Sequence, residues 1–371
     1  MDPNVLRLAM GSAGAGAPEY QLYAWGSGSV GRLGLGNTTD YSSPKQVGAL
    51  KNWEKLICGR AHNLAIKTDG TLWAWGYNAN GQLGDYSNVN RSSPVQIGSL
   101  TTWSKIAAAR SMGAAIKTDG TLWTWGRNFR GELGLGNTTE YNSPKQVGAL
   151  TNWSKVTCGN FTTFAIKTDG TLWAWGYNAN GELGLGSFSS YSSPVQVGAL
   201  TTWSNFSSGY GHSLAIKTDG TLWAWGWNNN GQLGIGNTTF YASPVQVGSL
   251  TTWSQVACGD RHTLAIKTDG TLWSWGRNVT FGQLGLGNTT NYSSPKQVGA
   301  LTNWSLVAAN GYHSLAIKTD KTLWVWGNNG DGQLGLGDKT NRSSPVQVGS
   351  LTIWDSVSAG SSHSASTTKQ T

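Results

Sequence analysis

The stretch WGSGSVGRLG, residues 25–34, carries Gly26, Gly28 and Gly31 in the G-x-G-x-x-G spacing of a dinucleotide-binding turn. That fingerprint has chemical meaning only where it follows a buried strand and opens a helix whose N-terminus can hold a pyrophosphate. Here it runs into LGLGNTTDYSSP, residues 33–44, a sequence no helix would choose. Laid over WGYNANGQLG at 75–84, it finds counterparts for Trp25, Gly26, Gly31, Leu33 and Gly34, while Gly28 falls on Asn78. The glycine triplet is an accident of a repeat.

The repeat runs through the chain. Trp-Gly recurs at Trp25, Trp75, Trp125, Trp175, Trp225, Trp275 and Trp326, a spacing of fifty residues with one extra residue near Val279 to Phe281. A second tryptophan recurs at Trp53, Trp103, Trp153, Trp203, Trp253, Trp304 and Trp354. Seven similar units in 371 residues read as one closed or stacked array rather than as two or three domains.

One unit, residues 53–102, predicts the local structure. Residues 53–58 and 62–68 are short strands, Asp69-Gly70 reads as a two-residue type I′ hairpin turn, and 71–75 is a third strand. After a polar loop, residues 94–97 read as an edge strand, where proline is tolerated because its missing N–H is not needed. Four short strands per fifty residues is the content of a propeller blade. In the third strand Trp73 and Trp75 point to one face and Leu72 and Ala74 to the other, so each sheet must be sandwiched between neighbours.

The chain ends complement one another. Residues 21–25 match the third strand of a unit and residues 363–369 match the second, so a blade combining 352–371 with 21–50 would close the ring without a free sheet edge. The expected fold is an all-β, seven-bladed propeller over 21–371 whose closing blade is shared between the N- and C-terminal ends. Residues 1–20 stand outside it as an N-terminal docking segment, with Val5, Leu6, Leu8 and Met10 as its apolar contacts, followed by a Gly/Ala linker.

The pattern G-x-x-H-x-x-A-I-K-T-D-G-T-L-W-A-W-G-x-N-x-x-G-Q-L-G at residues 209–234 resembles the repeats of the regulator of chromosome condensation family. The resemblance covers 21–371 and implies a seven-bladed propeller. Kelch repeats have a similar period, but their double glycine is absent here, and the WD dipeptide occurs only at Trp354-Asp355, out of phase. The family's founding member is a nuclear exchange factor for a small GTPase that also binds nucleosomes. Its exchange activity uses an inserted hairpin wedge, whereas the units here are equal in length apart from one residue, and the N-terminal segment is not a basic tail. The wording of the repeat looks more like bacterial and bacteriophage versions.

Composition narrows the chemistry. Charged residues make up 12% of the chain against about 25% in an average domain, so the net charge of +8 is thinly spread and shows no basic run. Neither nucleic acid nor membrane insertion is indicated, and no secretory signal is evident. The five histidines, His62, His212, His262, His313 and His363, share one repeat position, which spreads them round a ring instead of gathering them on a metal. Cys58, Cys158 and Cys258 share another and read as free, buried residues. No catalytic residue, cofactor or metal is indicated; the chain reads as a non-enzyme.

Differences between units concentrate in two loops. One precedes the second strand and carries Arg60, Arg110, Phe161, Tyr210, Arg261 and Tyr312. The other follows Trp-Gly and carries Tyr77, Arg127, Phe129, Arg130, Tyr177, Trp227, Arg277 and Phe281. Aromatic and Arg side chains anchor interfaces, so these are the candidate binding residues. The functional expectation is a structural or attachment protein of a larger assembly, of the bacteriophage-virion kind, with a carbohydrate-binding lectin as the alternative and a GTPase or chromatin regulator third. Its expected partners are proteins of that assembly and a cell-surface glycan.

Overall fold

A computed structural model describes residues 18–370. Seven four-stranded antiparallel sheets stand round a central channel as the blades of a propeller. In one blade Trp53–Cys58 is innermost, followed outward by His62–Lys67, Leu72–Gly76 and Arg91–Gln96. The outer strand begins three residues before the sequence reading placed it. Its polar start, Arg91-Ser92-Ser93, needs no apolar pattern, because the loop of the preceding blade covers it: Gly36 N–H donates to the Ser92 carbonyl at 2.8 Å.

Tryptophan packs the blades together. Trp75 is fully buried, and Trp53 meets both Trp73 and Trp75 edge-on, with centroids 5.8 and 6.0 Å apart. Opposite them sit the small residues Ala24, Ala74, Ala174 and Ala224. Thr124 and Ser274 take the same place because their hydroxyls donate to the Leu133 and Leu284 carbonyls, each at 2.7 Å. The recurring lysines lie on this tryptophan wall, Lys67 Nζ 3.5 Å from the Trp73 ring centre and Lys318 Nζ 3.7 Å from that of Trp324. Six of the positive charges are therefore distributed round the ring and form no patch.

The recurring hairpin differs from the two-residue turn read from Asp-Gly. Lys67 N–H donates to the Thr71 carbonyl at 3.1 Å, and Gly70 N–H donates to the Lys67 carbonyl at 2.9 Å. Gly70 has φ +76° while Asp69 is not left-handed. This is a three-residue loop, a type I turn closed by one left-handed residue. The Asp69 side chain favours it by accepting from the Thr71 N–H and hydroxyl at 3.0 and 2.6 Å. Lys321 occupies the left-handed position in its blade at φ +64°.

All five histidines are buried, and four of them, His212, His262, His313 and His363, each tie one blade to the next. Nε2 of His262 lies 2.9 Å from Ser314 Oγ, and that hydroxyl donates to the Gln283 carbonyl at 2.8 Å. The hydroxyl already spends its proton, so the imidazole is the donor. His313 repeats the chain with Ser364 and Gln333. His363 closes the ring on Asn63 Oδ1 at 2.9 Å. His62 faces Gly113 in the next blade, which has no side chain to receive it, and neither of its ring nitrogens finds a partner.

The closing blade is shared as the ends of the sequence require. Glu19–Gly26 pairs with His363–Gln370 in eight consecutive register positions, with Trp354–Ala359 inside and Tyr41–Gln46 outside. The candidate docking residues Val5, Leu6, Leu8 and Met10 lie outside the described residues.

Candidate binding face

Both variable loops leave the same end of the sheet, because the second strand starts where the third one finishes: His62 pairs with Gly76. Backbone bonds hold them side by side. Tyr177 N–H donates to the Phe161 carbonyl at 2.9 Å and Trp227 N–H to the Gly211 carbonyl at 2.7 Å. All the candidate loop residues therefore rise on one face of the ring, with the Asp-Gly hairpins on the other.

On that face neighbouring blades bring many of the candidates into contact. Phe161 meets Tyr177 and Tyr210 edge-on, each at 6.0 Å, and Tyr210 meets Trp227 at 6.1 Å. Arginines cap the run: Arg110 and Arg127 each lie 5.0 Å from Phe161, Arg130 lies 4.8 Å from Tyr177, and Arg261 lies 4.6 Å from Trp227. Phe129 leans outward on Arg127. A second, smaller stack joins Tyr312 to Phe281 at 5.4 Å and to Arg277 at 5.3 Å. Tyr77 joins neither stack. Arg60 stands at the channel mouth with Arg110 and Arg261 round Asp260, whose carboxyl is raised by burial against their opposing charge.

The first stack walls a cavity of about 610 Å³. Four of its lining residues, Asn180, Glu182, Asn229 and Phe240, were not among the candidates. A signal for one of them lies in the repeat: the residue after the glycine in G-x-L-G is Gln in four units and Arg in one, but Glu at Glu132 and Glu182. Both carboxylates are buried, and burial pushes both above the usual range. Glu132 has a cation beside it, Arg127 Nε at 3.7 Å. Among the described residues the Glu182 carboxylate has only Asn180, whose N–H donates at 2.8 Å and whose side-chain amide donates at 2.7 Å.

The arrangement offers aromatic and arginine side chains suited to anchoring a partner. The histidines sit in separate blades, and among the described residues no three His, Cys, Asp or Glu side chains are grouped to hold a metal. The cysteine thiols near the channel are pushed up to about 12 by burial, too high to act as nucleophiles.

The RCC1-like domain family matches residues 20–366. Yeast RCC1 (Prp20), crystallised with Kap60, is 22% identical over 96% of this chain and 90% of its own, with a TM-score of 0.83. Prp20p from Saccharomyces cerevisiae, described with its binding properties to Gsp1p and histones, is 22% identical over 94% of this chain and 91% of its own, at a TM-score of 0.82. Human WBSCR16 is 21% identical over 94% of this chain and 98% of its own, at 0.83. Likeness at this level establishes the fold.

These matches overturn the expectation of a bacteriophage virion component, and the lectin alternative falls with it. That expectation leaned on the strict fifty-residue spacing and on the wording of the repeat. Packing between blades requires the same buried residues to recur, so their recurrence carries no information about source or role.

Proposed function

Because the chain belongs to the RCC1-like family, we propose that it is a protein-binding regulator that docks its partner on the loop face, with a small GTPase as the partner class. The observation that carries this reading is the convergence of aromatic and Arg residues from adjacent blades on one face. Their side chains are rigid, amphipathic anchors of the kind that dominate protein interfaces. Solved members of the family are described with protein partners, Kap60, Gsp1p and histones. Of these, basic histones suit an arginine-rich face least. Every blade has four strands and no inserted hairpin among the described residues, so contact on this face falls to the loops themselves.

The test uses Gsp1p loaded with a fluorescent GDP analogue. The wild-type chain should bind it and speed nucleotide release, and the double substitution Tyr210→Ala with Trp227→Ala should weaken binding at least tenfold, since aromatic anchors cost about 2 kcal/mol or more each when truncated. Thermal melting of the variant should match the wild type, because both side chains lie on the rim. Absence of binding, or binding untouched by the double substitution, would remove the proposal.

A further inference from the structure

Glu182 occupies a position that is Gln in most blades, and it alone of the two buried carboxylates has no cation beside it. Among the described residues no Lys or Arg nitrogen lies within ion-pair distance of its oxygens, whereas Glu132 pairs with Arg127. It lies at the cavity wall, 3% exposed. A buried carboxylate without a counter-ion is costly, and burial accordingly holds its carboxyl above the usual range.

Space above it is kept open by one residue. Gly211 stands where the neighbouring blades have Phe161 and Arg261. Its backbone is not left-handed, and a Cβ there would lie 3.4 Å from Trp227 and 3.8 Å from Glu182 Oε1, so an ordinary side chain could start at this point. The aromatic surface round the opening is partly taken: Arg130 covers Tyr177 and Arg261 covers Trp227. Tyr210 and Phe240 carry no arginine and are 38% and 37% exposed. Free aromatic surface over a lone carboxylate is suited to an alkyl chain ending in a positive charge, since the ring faces attract the cation and the carboxylate neutralises it.

Resting on the reading of this face as a protein-docking surface, we infer that the cavity over Glu182 receives one lysine or arginine side chain of the docked partner. Its alkyl stem packs on Tyr210 and Phe240, and its charged head pairs with the Glu182 carboxylate. The two arginines that line this cavity lie on aromatic rings instead of on this carboxylate, Arg127 on Phe161 and Arg130 on Tyr177.

The probes are n-butylammonium, n-butylguanidinium and neutral n-butanol, titrated into the full chain and followed by ligand-observed NMR. The wild type should bind at least one cation saturably and n-butanol at least tenfold more weakly; the preferred cation tells a lysine anchor from an arginine one. Glu182→Gln should lose at least tenfold in cation affinity with unchanged melting, since the fold already accepts Gln82, Gln232, Gln283 and Gln333 at this position. Gly211→Phe, which fills the opening, should abolish binding. Equal binding of n-butanol, an unaffected Glu182→Gln variant, or no saturable cation binding would each overturn the assignment. If Gsp1p still binds while the cations do not, only the pocket assignment falls; if the cations bind while Gsp1p does not, the partner class falls.

Discussion

At the scale of single residues, the buried histidines link this fold to pH. His62 is held down to about 4, and His212, His262 and His313 to about 3, chiefly by burial; His363 is also held well below its ordinary value. In the unfolded chain each titrates near 6.5. As pH falls below about 6.5 the unfolded chain takes up protons that the folded one refuses, so stability present above that pH is lost on acidification. Each histidine adds a slope of up to about 1.4 kcal/mol per pH unit. Glu132, Glu140, Glu182 and Asp260, raised by burial, act in the opposite sense at lower pH and offset part of the loss. Urea denaturation at pH 7, 6 and 5 should show the decline. His62→Met, which copies the residue at position 112, should lower the slope by one proton at little cost at pH 7, because this imidazole has no side-chain partner on the next blade to lose. An unchanged slope would mean that His62 is protonated in the folded state.

The loops and turns show how one element tolerates exceptions. In most blades a buried asparagine organises the loop after Trp-Gly: Asn78 Oδ1 accepts from the Leu83 N–H at 2.9 Å, while its Nδ2 donates to the Ser87 and Val89 carbonyls at 3.0 and 3.1 Å. Gly28 replaces it in the first unit. There the chain has closed into the vacated space, so that a Cβ on Gly28 would lie 1.9 Å from the Thr39 carbonyl oxygen, and Val30 takes up a left-handed φ of +57°. The hairpin with Lys321 is the other exception. A side chain in the left-handed region costs about 1 kcal/mol relative to glycine. Its ion pair with Asp355, at 3.5 Å, is half exposed and offsets little of this. Lys321→Gly should raise the denaturation midpoint by an amount corresponding to about 0.5–1 kcal/mol. A lower midpoint would show that the lysine contact outweighs the backbone strain.

For the whole molecule the decisive feature is closure. Glu19–Gly26 and His363–Gln370 meet across nearly the full length of the sequence, and His363 extends the inter-blade chain to Asn63. Deleting residues 354–371 removes two strands from the first blade and exposes the flanking blades on both sides. Such a chain should lose its single cooperative melting transition altogether, as calorimetry would register. A truncated chain that melts like the full one would mean that six blades and a remnant suffice.

The period of the repeat, the four strands of a blade and the union of the two ends were legible in the sequence alone. Every blade interface buries the same tryptophans and small residues, so the pattern needed for packing is written seven times and local exceptions stand out. The hairpin geometry was not legible, since Asp-Gly suits both a two-residue and a three-residue turn and only the ladder bonds of Lys67, Gly70 and Thr71 decide between them. Nor was the partner of each paired histidine, because it lies on the next blade, about fifty residues away or, for His363, at the other end of the chain. The candidate face was half legible: variation marked Phe161, Tyr177, Tyr210 and Trp227, yet nothing local said that they would touch. Stacking of neighbouring blades brings them together, and the same stacking buries Glu182 beneath them with no cation within reach.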